Sequence, residues 1–312
     1  MPVEPAGAAT LDKMQALNQP SVSVIVLTYR RQRHALAVLD QLVVQTAQPD
    51  EVQLIDSSPA EECIDAETIA RYPRWLHYSV SEAPDGNVSR LRNQAVVRSR
   101  GQLILFLDDD VTFGPTLIAD YLDAMSSTGA DAVGGIVLLP GESPGPNPRR
   151  KNRHFIDDPG APNLQPYDGI TPSYVVCTAS LCARRPALLA VGGFDENMWR
   201  LEDVELGLRM TEAGMRVMHH NGPVLRHLVV PASGARSENR GMEWMMESLF
   251  YFQLRHFPHR PPPLLLSVTL WEFCRPSRHW LTPSLIARRA RMVLEGYRRA
   301  RQRAADAPRL IR

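Results

Sequence analysis

Apolar residues in the first half of the chain come as short continuous runs, each closed by a polar or acidic tip. Ser21-Val22-Ser23-Val24-Ile25-Val26-Leu27 leads into Thr28-Tyr29-Arg30-Arg31, Val52-Gln53-Leu54-Ile55 into Asp56-Ser57-Ser58-Pro59, and Leu103-Ile104-Leu105-Phe106-Leu107 into Asp108-Asp109-Asp110. Such runs are too short for ordinary helices, and their unbroken apolarity marks strands buried on both faces. Between them, Leu36, Leu39, Leu42 and Val43 recur at helical spacing within 34–45, and Leu91, Ala95 and Val96 within 87–100. Strand–helix–strand alternation predicts an α/β fold, a sheet flanked by helices.

The pattern then loosens. Residues 132–139 read as another strand, and 140–172 carry eight prolines with little periodicity, which predicts a long surface loop. Residues 174–183 are apolar and strand-like, and 192–196 form a turn. Residues 201–210 have helical spacing, with Glu202 and Asp203 in the first turn and Gly214 placed as a C-terminal cap. Short strands are expected at 215–218 and 224–225. Beyond 230 the chain turns helical, aromatic and Arg-rich. The expected organisation is a disordered lead-in over 1–20, one domain over 21–230 and a helical C-terminal region over 231–312.

Composition narrows the class. Hydrophobic content of 44% and charged content of 22% are those of a globular protein, and a net charge of +1 gives no global argument for nucleic acid. The charge is uneven: from Ser284 onward nine arginines face only Glu295 and Asp306. With Ile286, Ala290, Val293, Leu294 and Tyr297 at helical spacing, this segment can lie on an anionic membrane surface or pack on its own domain with arginine outward. Cys63, Cys177, Cys182 and Cys274 show no zinc-like spacing, and no apolar stretch reaches a membrane span. A cytoplasmic setting, with at most a peripheral contact to the membrane face, is the expectation.

The three strand tips converge on one edge of the sheet, where open α/β folds bind ligands. Three adjacent carboxylates repel one another and raise each other's pKa unless something positive lies close. The simplest neutraliser is a divalent cation, and oxygen ligands suit Mg2+ or Mn2+.

The ordered set Val24–Arg31, Asp56-Ser57-Ser58, Ser89-Arg90-Leu91-Arg92-Asn93, Phe106–Asp110, Gly192-Gly193-Phe194-Asp195-Glu196 and Glu202-Asp203-Val204-Glu205-Leu206-Gly207 resembles family 2 glycosyltransferases across residues 21–230. The resemblance implies a GT-A fold, a Rossmann-like mixed, mostly parallel sheet flanked by helices, and an inverting transfer from a nucleotide-sugar donor, with a UDP-sugar favoured, to a glycan or glycolipid hydroxyl in cell-envelope polysaccharide or glycolipid assembly. It implies that Asp108 and Asp110 lie by the donor diphosphate, with Asp109 among the donor-binding residues, and that Asp110, with Asp108, ligates the metal. A late histidine completes the metal site; His227 is the candidate, with His219 and His220 as competitors. Asp203 becomes the general base, Glu202 its partner. Asp56 would meet the nucleobase, although Ser57 stands where a second acid is more usual. Thr28 and Tyr29 would line the nucleoside pocket, and Arg30 and Arg92 would meet phosphate or base, or else remain solvated. Trp199 would stack on an acceptor sugar or fill core.

Two other chemistries fit parts of the pattern. Asp108-Asp109-Asp110-Val111-Thr112 also matches the nucleophile motif of haloacid-dehalogenase-like phosphatases, whose required lysine could come only from Lys151. A non-catalytic sugar-nucleotide-binding protein would keep the fold and lose the base or the metal residues. An oxidoreductase is disfavoured because no GxGxxG follows the first strand.

Overall fold

A computed structural model describes residues 19–81, 87–143, 170–174, 176–228, 230, 241–257 and 283–306. Most of the expected lead-in, most of the proline-rich loop with Lys151, and the expected boundary at 231 lie outside these residues.

In chain order the elements are β1 (Val22–Thr28), α1 (Gln32–Val43), β2 (Glu51–Asp56), α2 (Ala66–Ile69), β3 (Leu76–Val80), α3 (Val88–Arg98), β4 (Leu103–Asp108), β5 (Val111–Phe113), α4 (Leu117–Thr128), β6 (Ala132–Leu138), β7 (Thr171–Pro172), β8 (Ser180–Arg184), α5 (Arg185–Ala190), α6 (Glu202–Glu212), β9 (Val217–His227), α7 (Gly241–His256) and α8 (Pro283–Asp306). The strands share one sheet in the order β3-β2-β1-β4-β8-β6-β9-β5, with β7 added on β9. The half from β3 to β4 is parallel, whereas β8 runs antiparallel to both β4 and β6.

Side chains alternate across each strand, so one run supplies two layers. Val24, Val26, Leu105 and Leu107 pack against α1 and α4 on one face. Ile25, Ile104 and Phe106 pack against α3, α5 and α6 on the other. Burial on both faces explains the unbroken apolar runs. The ladders place Thr28 beside Asp56 and Leu27 beside Asp108, so three strand tips finish level at one edge.

Helix ends follow from local chemistry. The Asn87 side chain accepts from the Arg90 N–H at 3.0 Å and starts α3. Gly214, at φ +77°, closes α6: its N–H donates to the Thr211 carbonyl and the Met215 N–H to that of Met210, a Schellman arrangement.

The late strands differ from the sequence expectation. β9 is one strand of 11 residues, not two short ones. A register irregularity between Gly134 and Ile136 of β6 lets the ladder pass the His219–Pro223 stretch. β3 and α4 are additions to the expected elements. The strand expected from Tyr174 starts only at Ser180.

α7 and α8 form a further layer. Met246, Leu249, Phe250 and Phe252 of α7 cluster with Ala300, Val293 and Tyr297 of α8 and with Val204 and Leu208 of α6. Arg291, Arg298 and Arg301 lie exposed on the other side of α8. Among the described residues, no helix is long and apolar enough to cross a membrane.

Candidate active site

The acidic tip is a turn between β4 and β5. Two residues apart, Asp108 and Asp110 reach the same side, and the antiparallel pairing of Val111 with His227 carries the end of β9 to them. His227 Nε2 lies 3.4 Å from an oxygen of each carboxylate. These three residues offer ligand atoms all within 4.8 Å of one another. His219 lies mid-strand against Thr171 and Gly134, and the His220 Nδ1 accepts from the Gly222 N–H, so neither shares this cluster. Two carboxylates and an imidazole are a donor set that fits Mn2+, with Mg2+ less suited to the nitrogen.

Asp109 points elsewhere. Its carboxylate accepts from Thr28 Oγ1 at 2.8 Å and from Arg31 Nη1 at 3.0 Å, and burial pushes its pKa up. The same Arg31 nitrogen lies 3.0 Å from Asp110 Oδ2. Arg31 therefore neutralises the acidic turn from below. Sequence reasoning chose Arg30 for the anion, but Arg30, at φ +54°, turns outward to Glu62 at 3.2 Å and lies over the Tyr29 ring. Two neighbouring arginines carry no local signal that separates them; only the backbone reversal at Arg30 does.

Arg92 links this cluster to a second one. Its Nη1 donates to Glu202 at 2.7 Å and its Nη2 lies 3.8 Å from Asp108. It is buried, and its guanidinium lies over the Phe194 ring, which meets Phe106 edge-on at 5.3 Å. Asn93 pins Phe194 through both backbone groups, accepting from its N–H and donating to its carbonyl. A solvated role for Arg92 is therefore excluded by its place in the fold.

Glu202 and Asp203 open α6, which is rich in apolar residues at helical spacing. Asp203 accepts from the N–H groups of Val204 at 2.9 Å and Thr178 at 3.3 Å. Burial and then the charge of Glu202 raise its pKa to about 7, outweighing Arg92. Glu202 is committed to Arg92; Asp203 keeps lone pairs to spare, since a carboxylate has about four acceptor sites. Just before this pair, Leu201 is held at φ +62°, a left-handed conformation that costs a residue with Cβ roughly 1–2 kcal/mol.

Asp56 has no exposed surface. One oxygen accepts from the Ser58 N–H at 2.9 Å, the other from the Tyr78 hydroxyl at 3.0 Å, so the carboxylate organises its own loop. The Trp199 ring stacks on Trp244 at 5.1 Å, with Arg303 over it at 5.6 Å, and so belongs to the layer of α7 and α8. The structure thus gathers Asp108, Asp110, His227, Arg92, Glu202 and Asp203, and sets Asp56, Arg30 and Trp199 apart from them.

The profile of glycosyl transferase family 2 matches residues 23–188, more than half of the chain. The chain belongs to that family. The matched span holds the acidic turn and Arg92 and stops ahead of Glu202, Asp203 and His227. Among curated relatives, a pre-mycofactocin glycosyltransferase of Mycobacterium tuberculosis is 29% identical over 202 residues, covering 62% of this chain and 39% of the relative. The O-antigen biosynthesis protein RfbC of Myxococcus xanthus is 27% identical over 236 residues, covering 68% of this chain and 18% of RfbC. The chain thus spans well under half the length of either relative. A mannosyltransferase of Pyrobaculum calidifontis, solved with GDP-Man and Mn2+, superposes with a TM-score of 0.57 at 17% identity, over 92% of this chain and 84% of that one. That likeness establishes the GT-A fold. Family membership also removes the haloacid-dehalogenase-like alternative.

Proposed function

We propose that the protein is an inverting glycosyltransferase that moves a sugar from a nucleoside-diphosphate sugar, a UDP-sugar before others, to a hydroxyl of a glycan or glycolipid. The observation that carries this reading is a placement: Asp203 stands beside Glu202, which Arg92 joins to the cluster of Asp108, Asp110 and His227. Family membership, and relatives named for glycosyl transfer and O-antigen biosynthesis, support it.

In this mechanism Asp108, Asp110 and His227 hold the metal. A bound divalent cation supplies Lewis-acid neutralisation of the leaving diphosphate. Arg92 pairs with Glu202 beside Asp203, and burial first, then the neighbouring Glu202, keeps Asp203 basic enough to accept a proton. Asp203 takes the acceptor hydroxyl proton as the oxygen attacks the anomeric carbon, and one displacement inverts the centre. Thr28, Asp109 and Arg31 fix the end of β1 against the acidic turn.

A panel of nucleotide sugars, screened for thermal stabilisation with and without Mn2+, tests the reading, because a ligand that binds only the native state raises its melting temperature. Stabilisation by none of them would end it. Replacing His227 by Ala is expected to weaken Mn2+ affinity by at least about tenfold, since loss of even a residue that merely supports a metal ligand costs that much. Calorimetric Mn2+ titration in the presence of UDP checks it, and unchanged affinity removes His227 from the metal shell.

A further inference from the structure

The segment from Gly193 to Leu201 delivers Glu202 and Asp203, and it is held from two sides. On one side α3 grips it: Asn93 binds the backbone of Phe194, the Asn87 amide donates to the Glu196 carbonyl at 2.7 Å, and Arg90 pairs with Glu196 at 3.3 Å. On the other side the two C-terminal helices tether it. Ser248 of α7, 1% exposed, accepts from the N–H groups of both Trp199 at 3.2 Å and Arg200 at 3.0 Å. The Tyr251 hydroxyl donates to Asp195 at 2.8 Å, and Arg255 lies 3.4 Å from the same oxygen. Arg303 of α8 donates to the Asn197 carbonyl at 2.7 Å and pairs with the buried Glu247 at 2.7 Å. Met198 and Leu201 pack into the apolar cluster of these helices.

Ser248 is the sharpest of these contacts. A buried hydroxyl that accepts two consecutive backbone N–H groups fixes the peptide planes on either side of Trp199. Two residues later the chain adopts the left-handed conformation at Leu201, which persists only where its surroundings over-determine it. The turn is what aims the first residues of α6 back toward Arg92.

We propose that Ser248, with Tyr251 in support, is a positioning residue for the transfer reaction: the C-terminal helix pair sets the direction of the base through the backbone of 195–201. This inference rests on the reading of Asp203 as the base. It adds that the C-terminal region, beyond the span that matches the family profile, is part of the catalytic apparatus. Because reacting groups must sit within a fraction of an ångström of their productive geometry, a displaced base lowers turnover while the donor still binds at the opposite cluster.

Ser248→Ala suits the test because alanine favours a helix and leaves α7 intact. Tyr251→Phe removes only the hydroxyl on Asp195 and is the second variant. Turnover is followed with the nucleotide sugar that the wild type consumes fastest in the panel above, and donor affinity with UDP and Mn2+. Expected for Ser248→Ala is a fall in kcat of about 10- to 100-fold with the UDP dissociation constant within about twofold of wild type. Tyr251→Phe should fall in the same direction, and Ser248→Thr, which keeps the acceptor oxygen, should recover most of the loss. Wild-type kcat in both variants, with only a lowered melting temperature, overturns the inference. Equal loss of UDP affinity and kcat overturns it too, because that is general damage. A wild type that turns over no nucleotide sugar refutes the base reading instead, so the two failures are told apart.

Discussion

Asp203→Asn abolishes transfer and makes the protein more stable above neutral pH. A positioned general base contributes roughly 10²- to 10⁴-fold to rate, and asparagine keeps the shape while losing the proton acceptor. Donor binding should be left intact, because Asp108, Asp110 and His227, which would hold the metal and diphosphate, are unchanged. In the wild type, kcat/KM should climb as pH rises toward about 7 and level off above it, as Asp203 loses its proton. The stability effect has a definite sign. The folded pKa of Asp203 is raised, so the folded state holds this proton more tightly than the unfolded chain does. Its contribution to stability is full below the ordinary aspartate range and is lost as pH rises through about 7. Asparagine mimics the protonated form at every pH, so the melting temperatures of the two proteins should diverge in favour of the variant as pH rises from the ordinary aspartate range to about 7, and keep that gap above it. Near-normal turnover in Asp203→Asn sinks the base assignment; melting curves that stay parallel from pH 5 to 8 sink its raised pKa.

Arg209→Met should be among the most destabilising single changes in the domain. Glu205 has no exposed surface, and Arg209 donates to its two oxygens from Nε and Nη2, each at 2.6 Å. The same guanidinium donates to the carbonyls of Val191 and Gly193, fastening α6 to the turn ahead of it. His256 of α7 completes the set at 3.2 Å from Glu205. Burial alone would raise the Glu205 pKa, but His256 and Arg209 hold it below the ordinary value of 4.5. Breaking a buried pair from one side costs about 3–5 kcal/mol, because the partner is left buried and unmatched. For a domain of this size that is a fall of roughly 10 °C in melting temperature. Adding Glu205→Gln should recover part of the loss by removing the stranded charge. In the wild type this group's contribution fades only as pH falls below 4.5, the depressed carboxylate's window. Unchanged melting of Arg209→Met would mean that the network contributes nothing to stability.

The parallel half of the sheet was legible because strands covered on both faces must be apolar throughout, and β1, β2 and β4 say so in their runs. β3 was not, because it is an edge strand whose His77 and Ser79 face partly outward. α4 does carry a signal, in Leu117, Ile118, Tyr121, Leu122 and Met125 with Gly129 at φ +61° as its stop. β9 looked like two strands because Gly222 and Pro223 usually end a ladder, and only the irregular pairing with β6 carries it through. In the site, acidic residue types point to chemistry on their own, while partnership does not. Nothing in the spacing of Arg92 and Glu202, or of Arg31 and Asp109, foretells contacts that span 110 and 78 positions. Such pairs exist only once parallel ladders have set strand tips level, so they are read from the fold.

β9 gives the order in which a growing chain acquires its chemistry. The strand occupies the space between β6 and β5 and carries His227 at its far end. Until it is made, β6 presents an unpaired edge, and the two aspartates await their imidazole although they were synthesised more than a hundred residues earlier. On the proposed reading, the ligand set Asp108, Asp110 and His227 would therefore be complete only when the sheet is sealed. A nascent chain halted before residue 217 would leave the β6 edge without its β9 partner, so chaperone dependence should be high at that length and fall once β9 has emerged.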